Sequence, residues 1–197
     1  MTHDLFLALV AFAFVTSVTP GPNNLMLMAS GVNFGFQRTV PHMLGVALGF
    51  VLMVTLVGLG LAGLFQAEPR AVLGLKIVSV VYMLWLAWKI AHSAAPKEGQ
   101  AGGRPLTFGQ AAAFQWVNPK AWAMALTATS VYAPERSVAA MVLVAVVFGA
   151  VNLPSVGLWA LMGQGMRHFL TRPAWLRGFN WGMAVLLVAS LWPVLKM

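Results

Sequence analysis

The chain has 197 residues, of which 60% are hydrophobic and only 8% charged. A soluble domain carries about a quarter charged residues, so this composition excludes one and points to lipid as the outer solvent. The net charge of +8 sits in short gaps between apolar runs, where it reads as a topology signal and a contact with membrane lipid, not as a nucleic-acid surface. Cysteine is absent, which rules out disulfides, thiolate metal sites and cysteine catalysis.

A membrane helix needs about 20 mostly apolar residues. Six stretches meet that demand, at roughly 5–28, 42–65, 71–91, 110–132, 138–162 and 174–195. Ahead of the first, Met1-Thr2-His3-Asp4 lacks the basic region of a signal peptide. The apolar run then continues with no cleavage pattern, so a retained first helix is expected. Within it lies Thr19-Pro20-Gly21-Pro22-Asn23-Asn24. Proline removes backbone donors and clashes with the preceding turn, and two prolines around a glycine should unwind about one turn. Backbone groups freed inside a membrane must find partners. Transporters use such breaks to hold substrates: helix N-termini take carboxylates and free carbonyls take cations. Asn23 and Asn24 add amide groups where polar atoms are costly. A simple packing kink is the competing reading.

The second stretch follows Pro41, opens on His42 and contains Gly45 and Gly49. The glycines allow close helix contact. His42 could relay a proton, because histidine changes charge near physiological pH. At a predicted helix end, a solvated or lipid-facing ring is the expected state. Tyr82, Trp85 and Trp88 in the third stretch read as packing and interface residues. Residues 92–107, rich in Gly, Pro and charge, read as a mobile cytoplasmic linker.

The fourth stretch carries Gln115, Asn118, Pro119 and Lys120. Lys120 falls mid-way along it, and an ionisable residue at such depth marks function unless it snorkels to an interface. No carboxylate lies in any predicted span, so a lone buried cation suits a substrate carboxylate better than a cationic substrate. In the fifth stretch, Asn152 and Pro154 form a candidate second wall and hinge, with a locally satisfied kink as the alternative.

The linker divides the chain into a first three-helix repeat, 1–91, and a second, 108–197, within one membrane domain. An odd number of helices per half inverts the second half relative to the first, the plan of many secondary transporters. The expected fold is therefore an all-α integral membrane protein with six transmembrane helices in two inverted repeats. Arg38, Lys89, Lys97, Arg104, Arg167 and Arg172 follow the odd helices, and Arg70, Arg136 and Lys196 the even ones. That bias places the odd loops in the cytoplasm and both termini outside.

No nucleophile–base set, phosphate loop, cofactor motif or metal-ligand cluster is visible. Transport would then be driven by an ion gradient or run downhill. A membrane-embedded enzyme or assembly factor would need clustered acids or histidines, and the four acids are scattered. A passive channel would need a continuous polar lining, and polar residues are too few. Homo-oligomer formation stays open.

Residues 19–24 resemble the hallmark of the LysE-type amino-acid exporters, the superfamily that includes homoserine/threonine exporters. Gly35 to Arg38, the Gly45–Gly49 stretch, Tyr82 to Ile90 and Val117 to Lys120 fit the same pattern almost end to end. Among branches, the chain looks most like the cysteine/O-acetylserine exporters. The resemblance implies proton-driven efflux of small amino acids across a bacterial inner membrane. It also implies that Pro20, Gly21, Pro22, Asn23, Asn118, Pro119 and Lys120 belong to the functional core.

Overall fold

The computed structural model describes residues 1–61, 69–93, 103–133 and 137–192, and these are helical with no strand among them. The helices are α1 (His3–Val18), α2 (Pro22–Phe34), α3 (Phe36–Leu56, continued by a wide turn over Val57–Leu61) and α4 (Pro69–Ala91). The second half follows with α5 (Phe108–Phe114, then a tight turn over Gln115–Val117), α6 (Pro119–Tyr132), α7 (Val138–Met166) and α8 (Pro173–Ala189).

Local chemistry sets the helix starts. The Thr2 hydroxyl accepts from the Leu5 amide, and Asp4 lies in the positive first turn of α1. Thr107 and Gln110 cap α5 reciprocally. Ser137 caps α7. Between α2 and α3, Gly35 takes φ 81°, a left-handed backbone angle that glycine adopts without strain.

Three helices, Phe36–Leu61, Leu73–Ala91 and Val138–Met166, are long and apolar enough to cross a membrane. The α1–α2 pair qualifies as a fourth if taken together, bent by 52° at its break. The expected second span starts earlier than read from hydropathy. Gln37 and Arg38 depress the apolar signal, yet the helix runs from Phe36. As a result His42 sits two turns inside α3 and is 1% exposed, which corrects the expectation of a solvated or lipid-facing ring. The expected fourth span is interrupted at Asn118. The fifth continues through Pro154 as one helix. Parts of three expected elements, 62–65, 94–102 and 193–195, lie outside the described residues, as do Lys97, Arg136 and Lys196. The rest of the linker is not loose throughout: Leu106 is buried, and Arg38 donates to the Gly103 carbonyl at 3.4 Å.

Packing centres on α7, which lies against α1, α2 and α3, while α3 also holds α5 and α4 pairs with α8. Two crossings are very close. A side chain at Gly31 would strike the Ala160 carbonyl, and one at Gly163 the Met28 carbonyl, so α2 and α7 touch backbone to backbone. Gly45 and Gly49 do the same for α3 against Phe108 and Ala112 of α5. Much of the outer surface is large and apolar, including Leu48, Leu52, Val81, Trp88 and Trp181, as lipid-facing positions should be.

Candidate functional site

The α1–α2 break and the α5–α6 break meet. In the first, Pro20 and Pro22 lack the amides that would have taken the Thr16 and Val18 carbonyls. Every carbonyl from 16 to 21 nevertheless has a partner. Thr16 takes the Thr19 hydroxyl at 3.2 Å. Ser17 takes the Asn24 amide at 2.8 Å, and Val18 the Trp159 indole at 3.1 Å. The Thr19 carbonyl is shared by Asn24 at 2.8 Å and the Lys120 ammonium at 2.8 Å. Pro20 also faces Lys120, at 3.4 Å, and Gly21 takes the Leu25 amide at 3.0 Å. A helix turn has been replaced largely by side-chain donors, which would satisfy the break inside a membrane.

The second break is smaller. Asn118 precedes proline and is extended, as that neighbour favours. Its side chain accepts the Lys120 amide at 3.1 Å, capping α6, while Pro119 fills the first helical position. Lys120 is thereby launched from the first turn of α6 rather than from mid-helix. Its ammonium uses three acceptors on the opposite break: the Thr19 carbonyl, the Thr19 hydroxyl at 2.9 Å and the Pro20 carbonyl. Gly21 makes room for it, since a side chain there would lie 2.7 Å from Lys120 Cδ.

Beside this latch, Asn23 and Gln115 exchange two amide hydrogen bonds at 2.9 and 3.2 Å. Gln115 also donates to the Ala111 carbonyl. From α7, Asn152 donates to the Ser17 hydroxyl at 3.2 Å, and its own carbonyl oxygen is buried without a partner. Gly21, Asn23, Asn24, Asn118, Lys120 and Asn152 together line a cavity of about 20 Å³, floored by Phe50, Met124 and Val156. That volume accommodates a single water.

Of the twelve residues singled out from sequence, Pro20, Gly21, Pro22, Asn23, Asn24, Gln115, Asn118, Pro119, Lys120 and Asn152 therefore occupy one neighbourhood. Pro154 lies two residues further along α7, where Ser155 returns its hydroxyl to the Val151 carbonyl. His42 is elsewhere and lines a separate cavity. Sequence reading passed over Ser17, Thr19 as a ligand of Lys120, and Trp159. It also missed Asn33 and Asn180, which exchange amide hydrogen bonds while Asn180 holds the Ser93 carbonyl. The two asparagines carried a signal, being polar residues inside apolar helices.

Comparison with known proteins gives the family of the chain. The LysE type translocator family matches residues 14–190. The cysteine/O-acetylserine efflux protein of Klebsiella pneumoniae is 30% identical over 192 residues, covering 95% of each chain. The protein of the same name from Escherichia coli K12 is 30% identical over 190 residues, covering 95% of this chain and 96% of its own. No solved structure matches.

Proposed function

The chain belongs to the LysE type translocator family, a multi-pass protein of the bacterial inner membrane, and on that premise we propose that it exports small neutral amino acids by a secondary, proton-coupled mechanism. The names of its relatives suggest cysteine and O-acetylserine as substrates. The observation that carries the reading is the Lys120 ammonium held on the open carbonyls of a broken helix. A zwitterionic amino acid presents the same two chemistries. Its carboxylate competes for Lys120, and its ammonium replaces Lys120 on the Thr19 and Pro20 carbonyls. Asn23, Gln115 and Asn152 then supply neutral hydrogen bonds. Because the cavity holds only a water, binding must prise the two breaks apart, which couples occupancy to movement.

The inverted-repeat plan is part of the same reading. Each half presents a proline-broken helix pair, then a long helix, then a third helix. The equivalent elements pack on one another, α3 on α7 and α4 on α8, as a pseudo-two-fold axis demands. In this arrangement six passages cross the bilayer and the basic end faces the cytoplasm. The protein has no native cysteine, so single-cysteine labelling tests it directly. His3→Cys and Met197→Cys should react with an impermeant maleimide from outside, and Gln100→Cys only from inside. Reaction of all three from one side would refute the six-passage plan.

The function is tested by flux of labelled O-acetyl-L-serine and L-cysteine in proteoliposomes with and without an imposed pH gradient. Gradient-dependent flux is expected. Equal flux with and without the gradient would remove proton coupling, and no flux of either solute would remove the substrate assignment.

A further inference from the structure

A second cavity, of about 300 Å³, opens between the ends of α2 and α4, the start of α3 and residues 103–106. It is far larger than the space at the breaks and reaches the lower end of the range for small-molecule sites. Its polar wall is basic: Lys89, Arg104, His92 and His42 line it. No acidic side chain does so among the described residues, where Asp4, on α1, is the one acid.

His42 distinguishes this cavity from an ordinary basic surface. Its ring is 1% exposed, and neither ring nitrogen has a hydrogen-bond partner. Buried polar atoms left unpaired are costly, and the polar side chains nearby are engaged with other partners. Asn33 spends its amide on Ala29 and Asn180. Thr39 donates to the Gly35 carbonyl at 2.8 Å, so the Ser30 hydroxyl must donate to Thr39 in their 2.8 Å contact. Ser30, which lines the cavity, is left with a free lone pair and no free hydrogen. The wall thus offers cations, an unpaired imidazole and a free acceptor. Lys89, held 5.3 Å over the Trp85 ring, keeps its ammonium free of any carboxylate among the described residues.

We propose that this cavity is a second solute site, an antechamber in which the carboxylate of a small amino acid sits among Lys89, Arg104 and His42 while its ammonium meets the Ser30 oxygen. The proposal rests on the reading of the chain as an amino-acid exporter and adds a stop on the basic side of the closed breaks. The same anionic chemistry could be met by a lipid phosphate, so the test separates the two sources.

The protein is reconstituted in phosphatidylcholine nanodiscs, and binding of radiolabelled O-acetyl-L-serine is measured, with acetate as competitor. Lys120→Ala should retain one bound equivalent that acetate displaces. Lys89→Gln with Arg104→Gln should weaken that equivalent by about tenfold or more, a change of roughly 1.4 kcal/mol, with thermal stability unchanged. His42→Gln, which keeps a hydrogen-bonding group, should weaken it less than His42→Leu. Loss of all binding in Lys120→Ala, or full binding in the double variant, overturns the site. Displacement of the solute by adding phosphatidylglycerol to the disc assigns the cavity to lipid and overturns it too. If the wild type exports neither solute in vesicles, the exporter reading fails separately. Acetate binding that depends on Arg104 would then still support an anion site, and its absence would refute one.

Discussion

The two helix breaks look alike on paper, each a proline beside an asparagine in an apolar run, yet they do opposite work. The first, at Thr19–Gly21, is wide and supplies acceptors: its carbonyls are released by two prolines and recovered by side chains. The second, at Asn118, is narrow, satisfies itself with one cap, and supplies the cation. Neither half contains both the charge and its receptor. A site divided in this way forms only when the halves meet, and it comes apart when they separate, which is what a carrier with alternating access needs.

Removing the cation should break this division most severely. Lys120→Ala is expected to lower O-acetylserine efflux by about a hundredfold, since truncating one member of a hydrogen-bonded charged contact strands its partners. Expression and thermal stability should fall much less. Wild-type flux from a folded variant would reduce Lys120 to a snorkelling side chain. Lys120→Arg should recover part of the activity, because charge returns without the compact shape of the ammonium.

Gly21→Ala addresses the receptor. The added carbon would sit 2.7 Å from the Lys120 stem, forcing it off the carbonyls. Displacements near 1 Å at reacting groups are worth one to two orders of magnitude, and a loss of about tenfold is expected. The backbone at Gly21 is extended, with φ −178°, so alanine brings no conformational strain that could explain the loss instead.

Asn23→Ala sharpens the comparison by removing a direct side-chain bridge between the breaks. It takes the partner from the Gln115 carbonyl oxygen, at a cost of about 1–3 kcal/mol, while the Gln115 amide keeps its bond to the Ala111 carbonyl. Thermal unfolding of Asn23→Ala, Gln115→Ala and the double variant should show strong coupling. Additive effects would mean that the pair does not hold the breaks together. Asn118→Ala should have the smallest effect, the loss of a helix cap worth about 1 kcal/mol, with transport reduced less than in Gly21→Ala. A loss equal to that of Lys120→Ala would show that the second break contributes more than a cap and a charge.

Sequence reading found both breaks because proline, glycine and asparagine are rare company inside apolar runs. It also found the Gly45–Gly49 face, which indeed meets α5. What it could not see depends on distance in space. Hydropathy weighs a window of residues and cannot register that Trp159 lies 141 positions from the carbonyl it holds. Nor can it pair Asn33 with Asn180. The same averaging delayed the start of α3, because charged Arg38 dilutes the window, and so it misplaced His42 at a wet helix end. Pro154 failed as a visible break for the opposite reason: it stands alone, and α7 continues past it.

The contact of Gly31 and Gly163 with opposing backbone has a mechanical consequence. Helices that touch main chain to main chain, with no side chains between them to slide or repack, move as one part. α2 is thus geared to α7, and α5 to α3 through Gly45 and Gly49. The levers of this machine are not the sequence halves: each takes a short arm from one half and a long arm from the other. A rotation that lifts Lys120 off Thr19 would then turn the two long helices against each other.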